Sequence, residues 1–209
     1  MTLGDDDPIW YASYGSNCLW ARFNAYLTGG QTEGATRPEA GARDQRPPAR
    51  SEAFVFPGTV RFLGDSAKWG GGGVAFLDNE TPGAAPGRRY LITKGQFDDV
   101  AAQESRRAGQ AIALDDLIPG TVKAIGTGFY DGILALTPED GIPVVTFTAP
   151  GAISQRPTNP PSAAYLGTIL RGLLEVHTAP VDQLADALLA APGVAKGWSA
   201  AEIASLATK

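Results

Sequence analysis

The amino-acid sequence predicts an α+β fold: a mixed, mostly antiparallel sheet, open or closed into a barrel, with helices around it. Short apolar and aromatic segments separated by Gly and Pro recur through most of the chain, as is typical of strands and turns. Apolar residues at helical spacing occur near the N-terminus, in the middle and in the C-terminal part. The 209 residues can bury one sizeable core and show no repeat or clear linker, so we expect a single domain over residues 1–209.

The first predicted unit is a strand, a turn and a helix. Ile9–Ser13 is short, aromatic and apolar, which predicts the strand, and the glycine-containing segment Tyr14–Asn17 predicts the turn. Helical spacing of apolar residues follows over Leu19–Leu27. Gly29 and Gly30 end this helix, because glycine readily adopts the left-handed conformation of a C-cap.

The later elements follow Gln31–Ser51, a polar segment without periodicity that we interpret as a long loop forming a flap or rim near a functional site. The spacing of Thr93 and Gln96 matches a capping box and predicts where the middle helix begins. Strands are predicted at Ala53–Leu63, Gly73–Leu77, Arg88–Ile92, Thr121–Leu136 and Pro143–Phe147. Further helices are predicted from about Tyr165 to His177 and near Val181–Ala190 and Ser199–Leu206.

Composition excludes several classes of function. The formal net charge is −5 and no basic stripe is present, so we expect no nucleic-acid partner. No apolar stretch approaches the length of a membrane span, and the acidic N-terminus is not a signal peptide. With one cysteine, no intrachain disulfide can form. The expected location is therefore the cytoplasm.

The scarcity of His and Cys limits the possible chemistry. His177 and Cys18 are the single members of their types, so a zinc site built from several His or Cys ligands is not expected. A Ser-His-Asp or Cys-His system would have to use His177. That residue lies at the end of a predicted helix, where we interpret it as a structural partner of free carbonyl groups.

The first candidate site is the turn between the first strand and the first helix, Tyr11–Asn17. A glycine turn before a helix leaves backbone N–H groups available to an anion, and Gly15 lets a ligand approach the backbone closely. Ser16 and Asn17 add polar side chains. The alternative is a plain tight turn in which Asn17 is the helix N-cap.

The second candidate is Glu104. On its predicted helix it shares a face with Phe97, Val100 and Ala101, the residues expected to pack inward. A carboxylate on such a face needs hydrogen-bond partners or an elevated pKa, and the latter is how general bases are tuned towards neutral pH. The alternative is a structural ion pair of Glu104 with an arginine of the sequence, Arg107 or Arg171.

The third candidate is Tyr165, which follows Pro160 and Pro161 at the start of a helix. Its phenol could reach a cleft from this position. The alternative is an amphipathic aromatic side chain that packs at the edge of the core.

In their order along the chain, these segments resemble the γ-glutamylcyclotransferase-like superfamily, in particular long bacterial members that sometimes carry a histone deacetylase label. The matching motifs are Tyr11–Asn17, the Trp/Gly-rich segment Trp69–Ala75, Glu104 with its two preceding residues, and Pro161–Tyr165. The resemblance covers about residues 9–176 and implies a core there with a helical extension at 177–209. The deacetylase label has no support from metal chemistry, because metal-dependent deacetylases need several His and Asp ligands.

The resemblance implies an enzyme that cyclises a γ-glutamyl group to 5-oxoproline and releases a free amine or amino acid. Glu104 would be the general acid/base, and no metal or cofactor would be needed. The partner would be a small γ-glutamyl amine or peptide. The residues implied to bind substrate are Tyr11, Ala12, Ser13, Tyr14, Gly15, Ser16, Asn17 and Tyr165.

Two other functions remain open from the residues. A binding module on the same fold could hold a carboxylate or amide ligand without turnover, although a mere binder has little reason to place Glu104 on an apolar face. An amidohydrolase that uses water would share Glu104 but would give glutamate. The long Gln31–Ser51 loop and the segment Ser105–Gly109 depart from compact family members, which predicts a reshaped leaving-group side.

Overall fold

The structure is a computed structural model that describes residues 3–32, 38–105 and 111–208. Within these ranges the chain forms strands and helices in the α+β order that the sequence predicts. The strands are β1 (Pro8–Ser13), β2 (Arg50–Pro57), β3 (Thr59–Leu63), β4 (Val74–Asp78), β5 (Ala84–Thr93), β6 (Val122–Ala124), β7 (Gly132–Glu139) and β8 (Ile142–Thr148). The helices are α1 (Trp20–Thr28), α2 (Lys94–Ser105), α3 (Ala163–Leu174), α4 (Val181–Leu189) and α5 (Ala200–Ser205).

The main sheet is open and mostly antiparallel, which confirms the predicted class. Its six strands run in the order β2-β5-β1-β8-β7-β6, and β3 and β4 form a separate antiparallel pair. Strand β1 pairs antiparallel with β5 and parallel with β8. Among the described strands of this sheet, β1 and β8 are the one parallel pair. Because β2 and β6 are edges, the sheet does not close into the barrel that the sequence left open as an alternative.

Two predicted strands are each divided in the structure. Ala53–Leu63 breaks at Gly58, where the backbone has a φ of 142° and the chain leaves β5 to pair with β4. Pro57 just before the break cannot donate a ladder hydrogen bond, which favours a change of partner there. Thr121–Leu136 divides into β6 and the first part of β7, and these two strands pair antiparallel with each other.

The middle helix begins where the capping box predicts. The Thr93 backbone N–H donates to Gln96 Oε1, and the Gln96 backbone N–H donates to Thr93 Oγ1, both at 3.1 Å.

The predicted loop Gln31–Ser51 is shorter in the structure, because its last two residues, Arg50 and Ser51, belong to β2. Residues 33–37 of this loop lie outside the described ranges. Arg107, one predicted partner of Glu104, lies outside them as well.

The two faces of the main sheet carry different parts of the core. Ile9 and Tyr11 point to the face covered by α1 and α2, whereas the alternate residues Trp10 and Ala12 point to the face covered by α3, α4, α5 and the β3–β4 pair. Because both faces of β1 are covered in this way, β1 lies between two layers of the core. Ser13, its last residue, is where the chain leaves the sheet. In the described ranges no helix combines the length and the hydropathy needed to cross a membrane.

Candidate active site

A cavity of about 460 Å³ opens where β1 ends. Four elements supply the predicted site residues to its wall: β1 itself, the turn after β1, the C-terminal end of α2, and the first turn of α3. The predicted residues that line it are Tyr11, Ser13, Tyr14, Gly15, Ser16, Asn17, Glu104 and Tyr165. Ala12 is instead fully buried in the core on the other face of the sheet.

Asn17 connects the turn to the helix that carries Glu104. Its Nδ2 donates to Glu104 Oε1 and to Tyr11 Oη, both at 3.0 Å. Asn17 is not a helix N-cap, because Leu19 occupies that position of α1 and no side chain caps the helix. The amide is buried and fixes the position of the Glu104 carboxylate relative to β1.

Glu104 lies at the end of the buried face of α2. Phe97, Val100 and Ala101 of this face pack in the core, and Glu104 follows them into the cavity as a half-buried side chain. Arg171, one alternative partner, donates Nη1 to the carbonyl oxygen of Leu206. The ion-pair interpretation of Glu104 stays open, since Arg107 is outside the described residues.

The tyrosines of the cavity are hydrogen-bond donors and not bases at neutral pH. Burial raises the pKa of Tyr165 to about 12, and burial also raises the pKa of Tyr11, Tyr14 and Tyr130. Their phenols therefore stay protonated and neutral. The Glu104 carboxylate lines the same cavity, and a carboxylate, unlike a protonated phenol, can act as a base.

Tyr165 lies directly over the glycine of the turn. Its Oη accepts a hydrogen bond from the Ala75 backbone N–H at 3.2 Å, and Ser162 Oγ caps the helix by accepting from the Tyr165 backbone N–H at 3.3 Å. A Cβ atom on Gly15 would come within 3.0 Å of Tyr165 Oη. Glycine at this position therefore lets the turn and the phenol approach each other.

The turn that follows β1 begins with a hydrogen bond of its own, because the Gly15 backbone N–H donates to Ser13 Oγ at 3.3 Å. After Gly15, residues Ser16–Cys18 form a 3-10 turn whose N-cap is Gly15. The first N–H groups of such a turn have no partner inside it. Gly15, Ser16 and Asn17 all line the cavity. The anion-binding role of this segment stays a prediction from the sequence.

Sequence reasoning missed a charged cluster on the cavity wall. Arg22 of α1 is fully buried, and with Tyr26 and Lys68 it lines the cavity. The available signal was an arginine inside an otherwise apolar and aromatic stretch of a helix, directly after the candidate turn. Lys68 directly precedes Trp69, and the Trp/Gly-rich motif Trp69–Ala75 does not include it.

Cys18 and His177 take structural positions. Burial raises the pKa of the Cys18 thiol to about 12, and its Sγ lies 3.1 Å from the carbonyl oxygen of Ser13. His177 Nε2 lies 2.7 Å from the carbonyl oxygen of Gly87. In residues 3–32, 38–105 and 111–208, no three His, Cys, Asp or Glu side chains are grouped as a metal site requires.

Solved structures with this architecture define the class of fold. One, described as γ-glutamyl cyclotransferase, aligns with a TM-score of 0.56 over 97% of this chain and 99% of its own, at 16% identity. Another, an uncharacterized protein from Homo sapiens, aligns with a TM-score of 0.56 over 98% of this chain and 100% of its own, at 17% identity. The chain therefore has the γ-glutamylcyclotransferase fold, as its motifs predict.

A curated relative is more similar in sequence. Histone deacetylase 5 of Arabidopsis thaliana is 32% identical in an alignment of 189 residues that covers 80% of this chain and 28% of the relative. The chain thus spans little more than a quarter of that protein, and the deacetylase name describes the longer protein. No protein-family model matches the chain.

Proposed function

We propose that this protein cyclises a γ-glutamyl group to 5-oxoproline and releases a free amine, with Glu104 as the general acid/base. The observation that carries the proposal is the contact of Glu104 Oε1 with Asn17 Nδ2, on a cavity wall shared with the Tyr14–Asn17 turn. This contact holds the Glu104 carboxylate beside the turn, which supports its proposed role as the proton acceptor. The fold, which a γ-glutamyl cyclotransferase of known structure shares, supports the same chemistry.

The reaction is an internal acyl transfer. The α-amine nitrogen of the γ-glutamyl group attacks its own γ-carbonyl carbon, and Glu104 takes the proton that this nitrogen loses. The carbonyl oxygen becomes an oxyanion, which the N–H groups of Ser16 and Asn17, the first of the 3-10 turn, would stabilise. Glu104 then gives its proton to the departing nitrogen as the amide C–N bond breaks.

The cavity must also hold the substrate in a bent pose, because the two reacting atoms belong to one molecule. Tyr165 closes the cavity over Gly15, and the neutral phenols of Tyr14 and Tyr130 belong to the same wall. Their hydroxyl groups donate to the carbonyl oxygens of Phe147 and Ala75, at 2.5 and 2.8 Å. These bonds fix the shape of the wall against which the glutamyl chain would fold.

A screen of γ-glutamyl amines and peptides tests the proposal, with products identified by mass spectrometry. We expect 5-oxoproline and the free amine in equal amounts, above the spontaneous rate without protein. The matched control is the same compound with an acetylated α-amine, which cannot attack and should not react. Glutamate in place of 5-oxoproline would show a water-using amidohydrolase, and binding without either product would show a binding module.

We also expect turnover to survive removal of metal ions. The proposed steps use a carboxylate and backbone N–H groups, and the sequence has a single His and a single Cys to offer as soft ligands. The measurement is the rate of 5-oxoproline formation before and after dialysis against a strong chelator. Loss of activity that added zinc restores would contradict the mechanism.

A further inference from the structure

The buried phenol of Tyr26 lies on the cavity wall that Glu104 also lines. Tyr26 belongs to the last turn of α1 and is 1% exposed, and Glu104 belongs to the last turn of α2. None of the steps proposed above uses the Tyr26 side chain. Its hydroxyl group nevertheless has charged groups as its partners, and these contacts give it a direction.

Two cations determine the direction of the Tyr26 hydroxyl. Arg22, one helical turn earlier in α1, donates from Nη2 to Tyr26 Oη at 2.9 Å, and Lys68 donates from Nζ to the same oxygen at 3.5 Å. The Arg22 Cζ atom also lies 4.6 Å from the centre of the Tyr26 ring. A phenol oxygen accepts hydrogen bonds but has one hydrogen of its own to donate. Because this oxygen faces two donors, its hydrogen points away from both cations.

Glu39 holds the two cations in place. Its Oε1 lies 2.6 Å from Arg22 Nη2 and 2.7 Å from Lys68 Nζ, and the Arg22 side chain is 2% exposed. Charge-assisted hydrogen bonds are short and strong, so a buried pair of this kind leaves Arg22 little freedom to move. The cations in turn fix the position of the phenol.

The Glu104 carboxylate accepts the hydrogen of this phenol. Burial and the charge of Glu104 raise the pKa of Tyr26, and a hydrogen bond between the two side chains acts in the same direction. A phenol that donates to a carboxylate shows this direction, because it would lose the hydrogen bond together with its proton. Gln103, next to Glu104, donates from Nε2 to the carbonyl oxygen of Tyr26 at 3.0 Å, which ties the last turns of α1 and α2 together.

Glu104 is therefore held from two sides. Asn17 Nδ2 donates to Glu104 Oε1 at 3.0 Å from the turn after β1, and the Tyr26 hydroxyl donates from α1. A glutamate side chain has several rotatable bonds, and a base transfers a proton efficiently when its oxygen is already in place. Two donors on different elements restrict the orientations that the carboxylate can adopt.

We propose that Tyr26 is a positioning residue, which orients the Glu104 carboxylate towards the α-amine of the substrate. The inference rests on the proposed cyclisation and adds the group that aims its base. Tyr26 keeps its own proton throughout, while Glu104 takes a proton from the attacking nitrogen and returns it to the departing one. Arg22 acts behind the phenol, in the way that a third group orients the base of other catalytic sites.

Tyr26→Phe tests this role, because it removes the hydroxyl group and keeps the ring. The substrate is γ-glutamyl-alanine or, where the screen above finds a faster one, that compound. We expect kcat to fall about tenfold or more, as the loss of a hydrogen bond to a charged group typically gives. KM should stay within about twofold of the wild type, since the phenol acts on Glu104 and not on the substrate.

A buried hydroxyl away from the cavity provides the control. Thr168 of α3 is 1% exposed, donates from Oγ1 to the carbonyl oxygen of Ala164 at 2.7 Å, and does not line the cavity. Thr168→Val removes this hydroxyl at nearly constant size and should keep the wild-type kcat and KM. Thermal unfolding of each variant shows how much of the protein is folded under the assay conditions.

Two further proteins separate positioning from a structural role. Adding Tyr26→Phe to Glu104→Gln should cause no further loss, because the phenol acts through Glu104. 4-Aminophenylalanine, placed at position 26 by codon suppression, keeps an N–H donor at the same point of the ring and should recover part of kcat. It also replaces Tyr26→Phe as the deciding variant if the phenylalanine variant does not fold, and a kcat as low as that of Glu104→Gln would then overturn the proposal.

The outcomes distinguish the positioning role from the cyclisation itself. A wild-type kcat in Tyr26→Phe would overturn the role of Tyr26 and leave the cyclisation standing. A higher KM with an unchanged kcat would make Tyr26 a substrate contact instead, and a further loss in the double variant would show that it does not act through Glu104. If the wild-type protein forms no 5-oxoproline from any γ-glutamyl compound, the cyclisation fails and the positioning role fails with it.

Discussion

Replacing Glu104 with glutamine is expected to lower 5-oxoproline formation by at least about 10²–10⁴-fold, the usual contribution of general acid–base catalysis. Glutamine keeps the size of the side chain, and its carbonyl oxygen can still accept the hydrogen bond from Asn17 Nδ2. It cannot take the proton of the α-amine. The loss should therefore appear in turnover, while the binding of a γ-glutamyl substrate survives.

Two further measurements make this variant decisive. Thermal unfolding should show little change or a small gain in stability, since a half-buried charge has been removed. Glu80→Gln is the matched control, because Glu80 is exposed and away from the cavity, and its turnover should equal that of the wild type. Near-normal turnover in Glu104→Gln would exclude Glu104 as the base, and outright unfolding would favour its structural ion pair with an arginine.

The sequence predicts those parts of the site that depend on neighbours along the chain. Helical spacing alone places Glu104 on the same face as Phe97 and Val100, and both of these are fully buried in the structure. The glycine of the turn and the capping box of α2 are local signals of the same kind. Each depends on a few consecutive residues, which is the range over which backbone geometry follows from residue type.

The contacts that assemble the cavity could not be predicted, because they join residues distant in the sequence. Asn17 donates to Glu104 across 87 positions, and nothing local distinguishes this role from that of a helix N-cap. Glu39 approaches Arg22 and Lys68 from a loop without periodicity. Such pairs are set by the order of strands in the sheet and the packing of helices on it, which a single sequence does not encode in any short pattern.

The turn that carries Asn17 is itself held by the packing of α3, at Gly172. A Cβ atom on Gly172 would overlap the backbone nitrogen of Leu19 and the carbonyl carbon of Cys18. Since these are backbone atoms, no side chain can turn away to make room. The close approach requires glycine, although alanine would suit a helix better by about 1 kcal/mol.

We therefore expect Gly172→Ala to lower the free energy of unfolding by about 3 kcal/mol, the upper end of the usual cost of overpacking. It should also reduce turnover, because α3 and the Ser16–Cys18 turn must move apart and Asn17 would shift relative to Glu104.

Gly167→Ala on the same helix is the matched control. Its Cβ would lie 3.3 Å from Arg171 Nη1, at the end of a flexible side chain, and 3.3 Å from Leu206 Cβ, so a shift of a few tenths of an ångström suffices. The stability of this variant should therefore stay within about 1 kcal/mol of the wild type. Urea unfolding midpoints compare the two variants. Equal midpoints would show that α3 does not press on the turn, and a stable Gly172→Ala protein with normal turnover would show that the position of Asn17 does not depend on this contact.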